Sequence, residues 1–156
     1  GYENRKLKTE DFDNDKIDAG EIGAGHTVTA IYAVVLQGQK GWLGESRYQK
    51  TNKKSGYSNE LAFLKMRYKQ PDSDKSQLLQ WPIKRDLIQP MNNASESFKF
   101  ATSVAAFGQL LREGQYVAEF NYDDILNLAR NSKGQDPYGY RGEFLQMVSL
   151  AKSLAN

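Results

Sequence analysis

Asp11, Asp13 and Asp15 alternate in a polar stretch, with Asp18 and Glu21 close behind. Alternating carboxylates can converge several oxygens on one hard cation, so the spacing matches the first, third and fifth positions of a calcium loop. The match stops there. Lys16 stands where a tight loop needs glycine, and Ile22 where a bidentate glutamate belongs. Two readings follow: a solvated acidic turn with local backbone caps, or a calcium-binding module using Asp11, Asp13, Asp15, Asp18 and Glu21.

The next stretch, GEIGAGH (Gly20–His26), invites phosphate chemistry. A phosphate cradle needs backbone N–H groups at the start of a helix. Here the glycines lead into an alternating apolar run, no Lys-Ser/Thr follows, and the GxxGxG spacing misses the dinucleotide fingerprint. The expectation is a turn in which glycine adopts positive φ. His26 is the only histidine. Work as a base would require a nucleophile and an orienting partner. The chain has neither a GxSxG elbow nor a cysteine, and zinc lacks the further His or Cys that would complete a site. The reading is non-catalytic. From Gln37 to Glu60 cations and rings interleave: Lys40, Trp42, Arg47, Tyr48, Lys50, Lys53, Lys54 and Tyr57. Such a pattern can hold single-stranded nucleic acid. With 21 basic and 19 acidic residues in the whole chain, a solvated loop is expected instead, and no nucleic-acid partner.

The elements that must carry these residues can be read from periodicity. Over Thr27–Leu36 both alternating faces are largely apolar, which predicts a central strand covered on both sides. Leu61–Gln70 places Ala62, Leu64, Met66 and Tyr68 on one face and Lys65, Arg67 and Lys69 on the other. PDSD (Pro71–Asp74) is turn chemistry. Gln77–Lys84 returns with Leu79, Trp81 and Ile83 on one face and Pro82 marking an edge. The pair predicts an antiparallel hairpin.

After Pro90 the period becomes helical. Asn93 and Glu96 read as a capping pair, and Phe100, Val104, Phe107 and Leu111 as a stripe ending at Gly114. A second helix after Asn121 carries Ile125, Leu128 and Ala129. A third, from about Gly139 to Leu154, carries Phe144, Val148, Ala151 and Leu154. Strands first and helices after predict an α+β fold: a small antiparallel β-sheet, alone or within an immunoglobulin-like sandwich, followed by about three C-terminal α-helices. The expected layout is a single domain over residues 1–156, mainly β with long loops over 1–90 and helical over 91–156. A chain of 156 residues can sustain a core, since about two-thirds of its unfolded surface is buried at that size. No apolar run reaches the ~20 residues that span a bilayer. The first residue, Gly1, suggests a fragment of a larger protein.

Three stretches together resemble one family: DFDNDKIDAGEIGAGHTVTAIY (Asp11–Tyr32), SFKFATSVAAFGQLLREGQY (Ser97–Tyr116) and GYRGEFLQMVSLAKSL (Gly139–Leu154). The opening GYENRKL and the strand LKMRYKQP fit as well. The chain resembles the C-terminal domain, of unknown function, of bacterial proteins with a von Willebrand factor type A domain, the YfbK-like group. The resemblance implies an accessory or protein-interaction module that partners the adjacent type A domain of the same chain. It also implies an exported protein, on the periplasmic or cell-envelope side. The Asp-x-Ser-x-Ser adhesion motif of the type A domain is absent. The nearest fragment, Asp74–Leu78, lacks the second serine, so no adhesion-site residue carries over. If the sheet continues into a preceding strand, its exposed edge invites self-association.

Overall fold

The computed structural model of the protein describes residues 7–17, 20–36, 59–112, 114 and 120–155. They group into two compact units. One takes the described residues up to Val28 and from Val34 to Ile88, and the other takes Thr29–Ala33 and those from Gln89 onward. The element order is α+β, as the periodicity predicts: two strands, β1 (Glu60–Tyr68) and β2 (Gln77–Lys84), then three helices, α1 (Glu96–Leu110), α2 (Tyr122–Asn131) and α3 (Tyr140–Leu154).

β1 and β2 form an antiparallel hairpin in the register that the alternation requires. Ala62 faces Ile83, Leu64 faces Trp81, Met66 faces Leu79 and Tyr68 faces Gln77 on one side, while Lys65 faces Gln80 and Arg67 faces Leu78 on the other. A slip by one residue would exchange the two faces and set Lys65 and Arg67 among the apolar partners. The ladder is irregular between Glu60 and Ala62. Tyr68 closes the turn end by donating its hydroxyl proton to Gln77 Oε1 at 2.7 Å. Only these two strands pair among the described residues, so no immunoglobulin-like sandwich is formed within them.

Thr27–Leu36 departs from the expected buried central strand. It makes no ladder among the described residues. Val28 is 79% exposed, Tyr32 76% and Val34 61%. Alternation specifies which side chains share a face and suits an extended backbone, but burial on both sides requires neighbours that the pattern itself does not supply.

The helical unit holds the core. Every buried residue among those described lies between Ser103 and Val148, with Phe107, Ile125, Leu126, Ala129, Phe144 and Val148 forming one cluster. α2 packs against both α1 and α3. Phe100 and Phe107 meet Phe144 edge-on with ring centroids 5.4 and 5.6 Å apart, the arrangement that the ring quadrupoles favour. The stripe on α1 is rotated from the expected one. Val104 and Leu111 are exposed, and Ser103 is fully buried, its hydroxyl donating to the Phe100 carbonyl at 2.6 Å. On α3, Leu154 is also exposed.

The helix boundaries follow local chemistry. Ser95, not Asn93, caps α1 by accepting the Phe98 N–H at 3.2 Å. Met91–Asn93 instead makes a 3₁₀ turn. Asn121 caps α2 in a full capping box: its side chain accepts the N–H groups of Asp123 and Asp124, and Asp124 accepts the Asn121 N–H at 3.1 Å. Gly114 stops the α1 region by donating to the Gln109 carbonyl.

Candidate functional site

The acidic stretch folds onto the hairpin. Thr9–Asp11 forms one 3₁₀ turn, and successive turns follow through Ile17. Arg67, on the polar face of β1, donates to Asp13 Oδ1 from both Nε (3.1 Å) and Nη2 (2.7 Å). Its third nitrogen reaches Ser76 Oγ at 2.8 Å, and its guanidinium carbon lies 5.8 Å from the centre of the Phe12 ring. Lys69, two residues along the same face, donates to the Asp15 carbonyl. Hydrogen bonds from the Ser76 side chain and backbone hold the Asp15 carboxyl below its usual value; slight burial opposes them, and Arg67 and Lys69 assist. A planar guanidinium gripping one carboxylate with two N–H groups is specific in geometry. The exposure of Asp13 keeps the pair modest in energy.

Of the five residues in the calcium reading, Asp13 and Asp15 therefore face cations and hydrogen-bond donors of the hairpin. Asp11 sits in the 3₁₀ turn, Glu21 is exposed, and Asp18 lies outside the described residues. Among the described residues, no group of three or more His, Asp or Glu converges in a way that could hold a metal. The cationic and aromatic residues from Lys40 to Tyr57 also lie outside the described residues.

The glycine–histidine stretch is a turn. The His26 N–H donates to the Gly23 carbonyl at 3.1 Å. Gly25 takes a φ of 77°, a left-handed value that side chains other than glycine adopt at a cost. The His26 imidazole folds back over Gly23, so closely that a Cβ there would lie 2.6 Å from Nδ1. The ring makes no hydrogen bond to another described residue, and its packing over Gly23 gives it a structural place.

One organised polar feature escaped the periodicity. Asp136-Pro137-Tyr138-Gly139 is a β-turn closed by the Gly139 N–H donating to the Asp136 carbonyl at 3.1 Å, with Gly139 at a φ of 77°. The Asp136 carboxylate then reaches past the turn and accepts the N–H groups of Arg141 (3.1 Å) and Gly142 (2.8 Å), satisfying the first turn of α3. Burial pushes the Asp136 carboxyl up, but those two N–H groups and nearby Lys133 outweigh it and leave it lowered. Arg141 lies 4.8 Å over the Phe100 ring and donates to the Lys133 carbonyl at 2.6 Å. The readable signal was D-P-x-G itself, with Asp first, Pro second and Gly fourth in a type I turn. A shallow open hollow beside it is lined by Lys133, Tyr138, Glu143 and Gln146, and its one sheltered carboxylate is already committed to capping.

No helix among the described residues is long and apolar enough to cross a membrane. The family described as "Uncharacterized protein YfbK, C-terminal" matches residues 1–154. The chain is 40% identical over 158 aligned positions to the Escherichia coli (strain K12) protein with the description "Uncharacterized protein YfbK", an alignment that takes in all of this chain and 27% of that relative. The chain thus spans about a quarter of the length of the curated relative it matches. No solved structure matches it. A family match that runs almost end to end, in the order of the three stretches that carry the resemblance, makes the chain a member of the YfbK C-terminal family.

Proposed function

We propose that this chain is a non-catalytic accessory module that supports a von Willebrand factor type A domain in the same polypeptide and contacts protein partners. The observation that carries the reading is the distribution of apolar surface. The hairpin and Thr27–Leu36 leave Val28, Tyr32, Val34, Phe63, Met66 and Trp81 at 44–79% exposure, whereas the carboxylates of Asp13 and Asp136 are engaged in an ion pair with Arg67 and in capping α3. Apolar surface of this extent belongs to an interaction site rather than to a reaction centre. The alignment to only 27% of the relative leaves room in such a polypeptide for a type A domain.

The test is capture of binding partners by the full-length polypeptide with and without this region. Partners lost on deletion support the reading. An identical set of partners, together with unchanged thermal stability of the rest of the polypeptide, overturns it.

A further inference from the structure

Two carboxylates of this chain are committed within the fold in different ways. Asp13 is gripped by Arg67 in an exposed clasp. Asp136 is sheltered, with its side chain only 9% exposed. Both of its oxygens are engaged: Oδ1 accepts the Arg141 N–H and Oδ2 accepts the Gly142 N–H, with Lys133 Nζ 3.5 Å from Oδ2. The other charged groups nearby are Arg141, whose side chain turns to the Lys133 carbonyl and the Phe100 ring, Glu143 on the rim of the hollow, and Glu96 of α1, beside Gly134.

The next residue is Pro137, and this changes what the carboxylate can do. An X–Pro bond is a tertiary amide. Its nitrogen takes up a proton more readily than an ordinary peptide nitrogen and then leaves as a secondary amine. An aspartate carboxylate before it can attack its own main-chain carbonyl carbon through a five-membered ring. The carboxylate oxygen forms the new C–O bond, and the C–N bond to Pro137 breaks. The electron pair goes to the proline nitrogen, which has taken its proton from the acidic medium. Water opens the resulting cyclic anhydride and leaves Asp136 as a C-terminus with two carboxyl groups. Here the carbonyl under attack already accepts the Gly139 N–H at 3.1 Å, a donor placed where negative charge develops. Nucleophile, leaving group and donor are all present. Neither carboxylate oxygen is free, however, while the first turn of α3 is in place.

We infer that Asp136–Pro137 is a self-cleavage site in acid, and that the start of α3 holds it off by occupying both oxygens of the nucleophile. Cleavage follows the opening of α3. It separates α3, with the buried Phe144 and Val148, from α1 and α2, so the core is lost irreversibly. The inference is independent of the accessory-module reading.

The test is incubation of this chain at the lowest pH at which its helical circular dichroism is intact, with and without urea at an unfolding concentration. Mass spectrometry then follows the fragment that begins at Pro137. Cleavage should be at least about tenfold faster in urea, because the folded chain reacts only through its open form. Pro137→Ala should all but abolish it in urea, which identifies the bond and the leaving group. Without urea, Val148→Ala should speed cleavage several-fold by loosening α3, whereas Trp81→Ala in the hairpin should leave the rate unchanged. Should Val148→Ala fail to fold, a series of urea concentrations below the unfolding transition takes its place, and the wild-type rate should climb along it. Equal rates with and without urea overturn the inference, as does the lack of a fragment beginning at Pro137 in urea. Equal acceleration by Trp81→Ala and Val148→Ala overturns it too, since α3 would then not be what holds the bond intact.

Discussion

The hairpin and the helices of this chain obey their sequence patterns equally well but are stabilised differently. In the helices, pattern and burial coincide: Ile125, Ala129 and Val148 are fully buried, and each helix start has a side-chain or turn device that satisfies its N–H groups. In the hairpin the alternation produces the right register, yet none of its residues is buried. Periodicity encodes which residues share a face. Whether that face is dry depends on a second layer, and only the helices carry theirs within the described residues.

The sharpest break in this comparison comes from paired truncations. Phe107→Ala removes a ring packed edge-on against Phe144 and, at 6.4 Å, Tyr122, and should cost about 3–5 kcal/mol in urea unfolding. Trp81→Ala in this chain alone should cost far less, because its ring is still 44% exposed. Equal losses would show that the hairpin is as firmly packed as the helices and would remove the contrast.

A smaller effect tests the helix devices. Asn121→Ala deletes the acceptor for two N–H groups of α2 and half of the reciprocal capping box, and should cost about 1 kcal/mol. The same substitution at Asn93, which the sequence pattern nominates as a cap and the structure does not use, should be close to neutral. A comparable loss at both positions would restore Asn93 as the cap of α1.

Smaller still is the clasp on the hairpin. Arg67→Ala should cost under about 1 kcal/mol, since exposed pairs are screened and pay side-chain entropy, and the loss should shrink as salt is added. Calorimetric titration with calcium should give no binding heat at millimolar metal. Saturable heat abolished by Asp13→Asn would revive the calcium reading.

The legibility of the molecule followed the range of each signal. The capping box at Asn121, the hairpin and the three helices are specified within a few residues, so they could be read directly. The α1 stripe could not be placed to the residue. Ala, Ser and Gly beside Phe100 and Phe107 leave several nearly equivalent faces, and the buried one can carry Ser103 because its hydroxyl donates to a helix carbonyl. The acidic stretch was legible as chemistry but not as partnership. Nothing local ties Asp13 to Arg67, 54 residues away, and alternating carboxylates look the same whether they await a cation from solvent or a guanidinium from a strand. The D-P-x-G turn is specified locally but is ambiguous in meaning, since Pro137 serves equally to break a helix and, with Gly139, to frame the turn that aims Asp136 at α3.

The finest test separates the carboxylates of Asp15 and Asp136 by cause. Both have folded values below the ordinary 3.8, so each contributes stability above that value and loses it as pH falls through its lower folded value. At Asp15 the Ser76 side chain and backbone are the main cause, with Arg67 and Lys69 secondary. Ser76→Ala should therefore move the Asp15 titration toward 3.8, as read by NMR of the carboxyl carbon, even though both cations remain. At Asp136 burial opposes the N–H groups of Gly142 and Arg141, and those donors belong to the backbone of α3. No side-chain substitution removes them, so Lys133→Ala should shift the titration only slightly upward. If Asp15 instead keeps its low value in Ser76→Ala and loses it in Arg67→Ala, the clasp is an ion pair first and a hydrogen-bonded turn second, and its strength should then vary with salt rather than with the integrity of the β1–β2 turn.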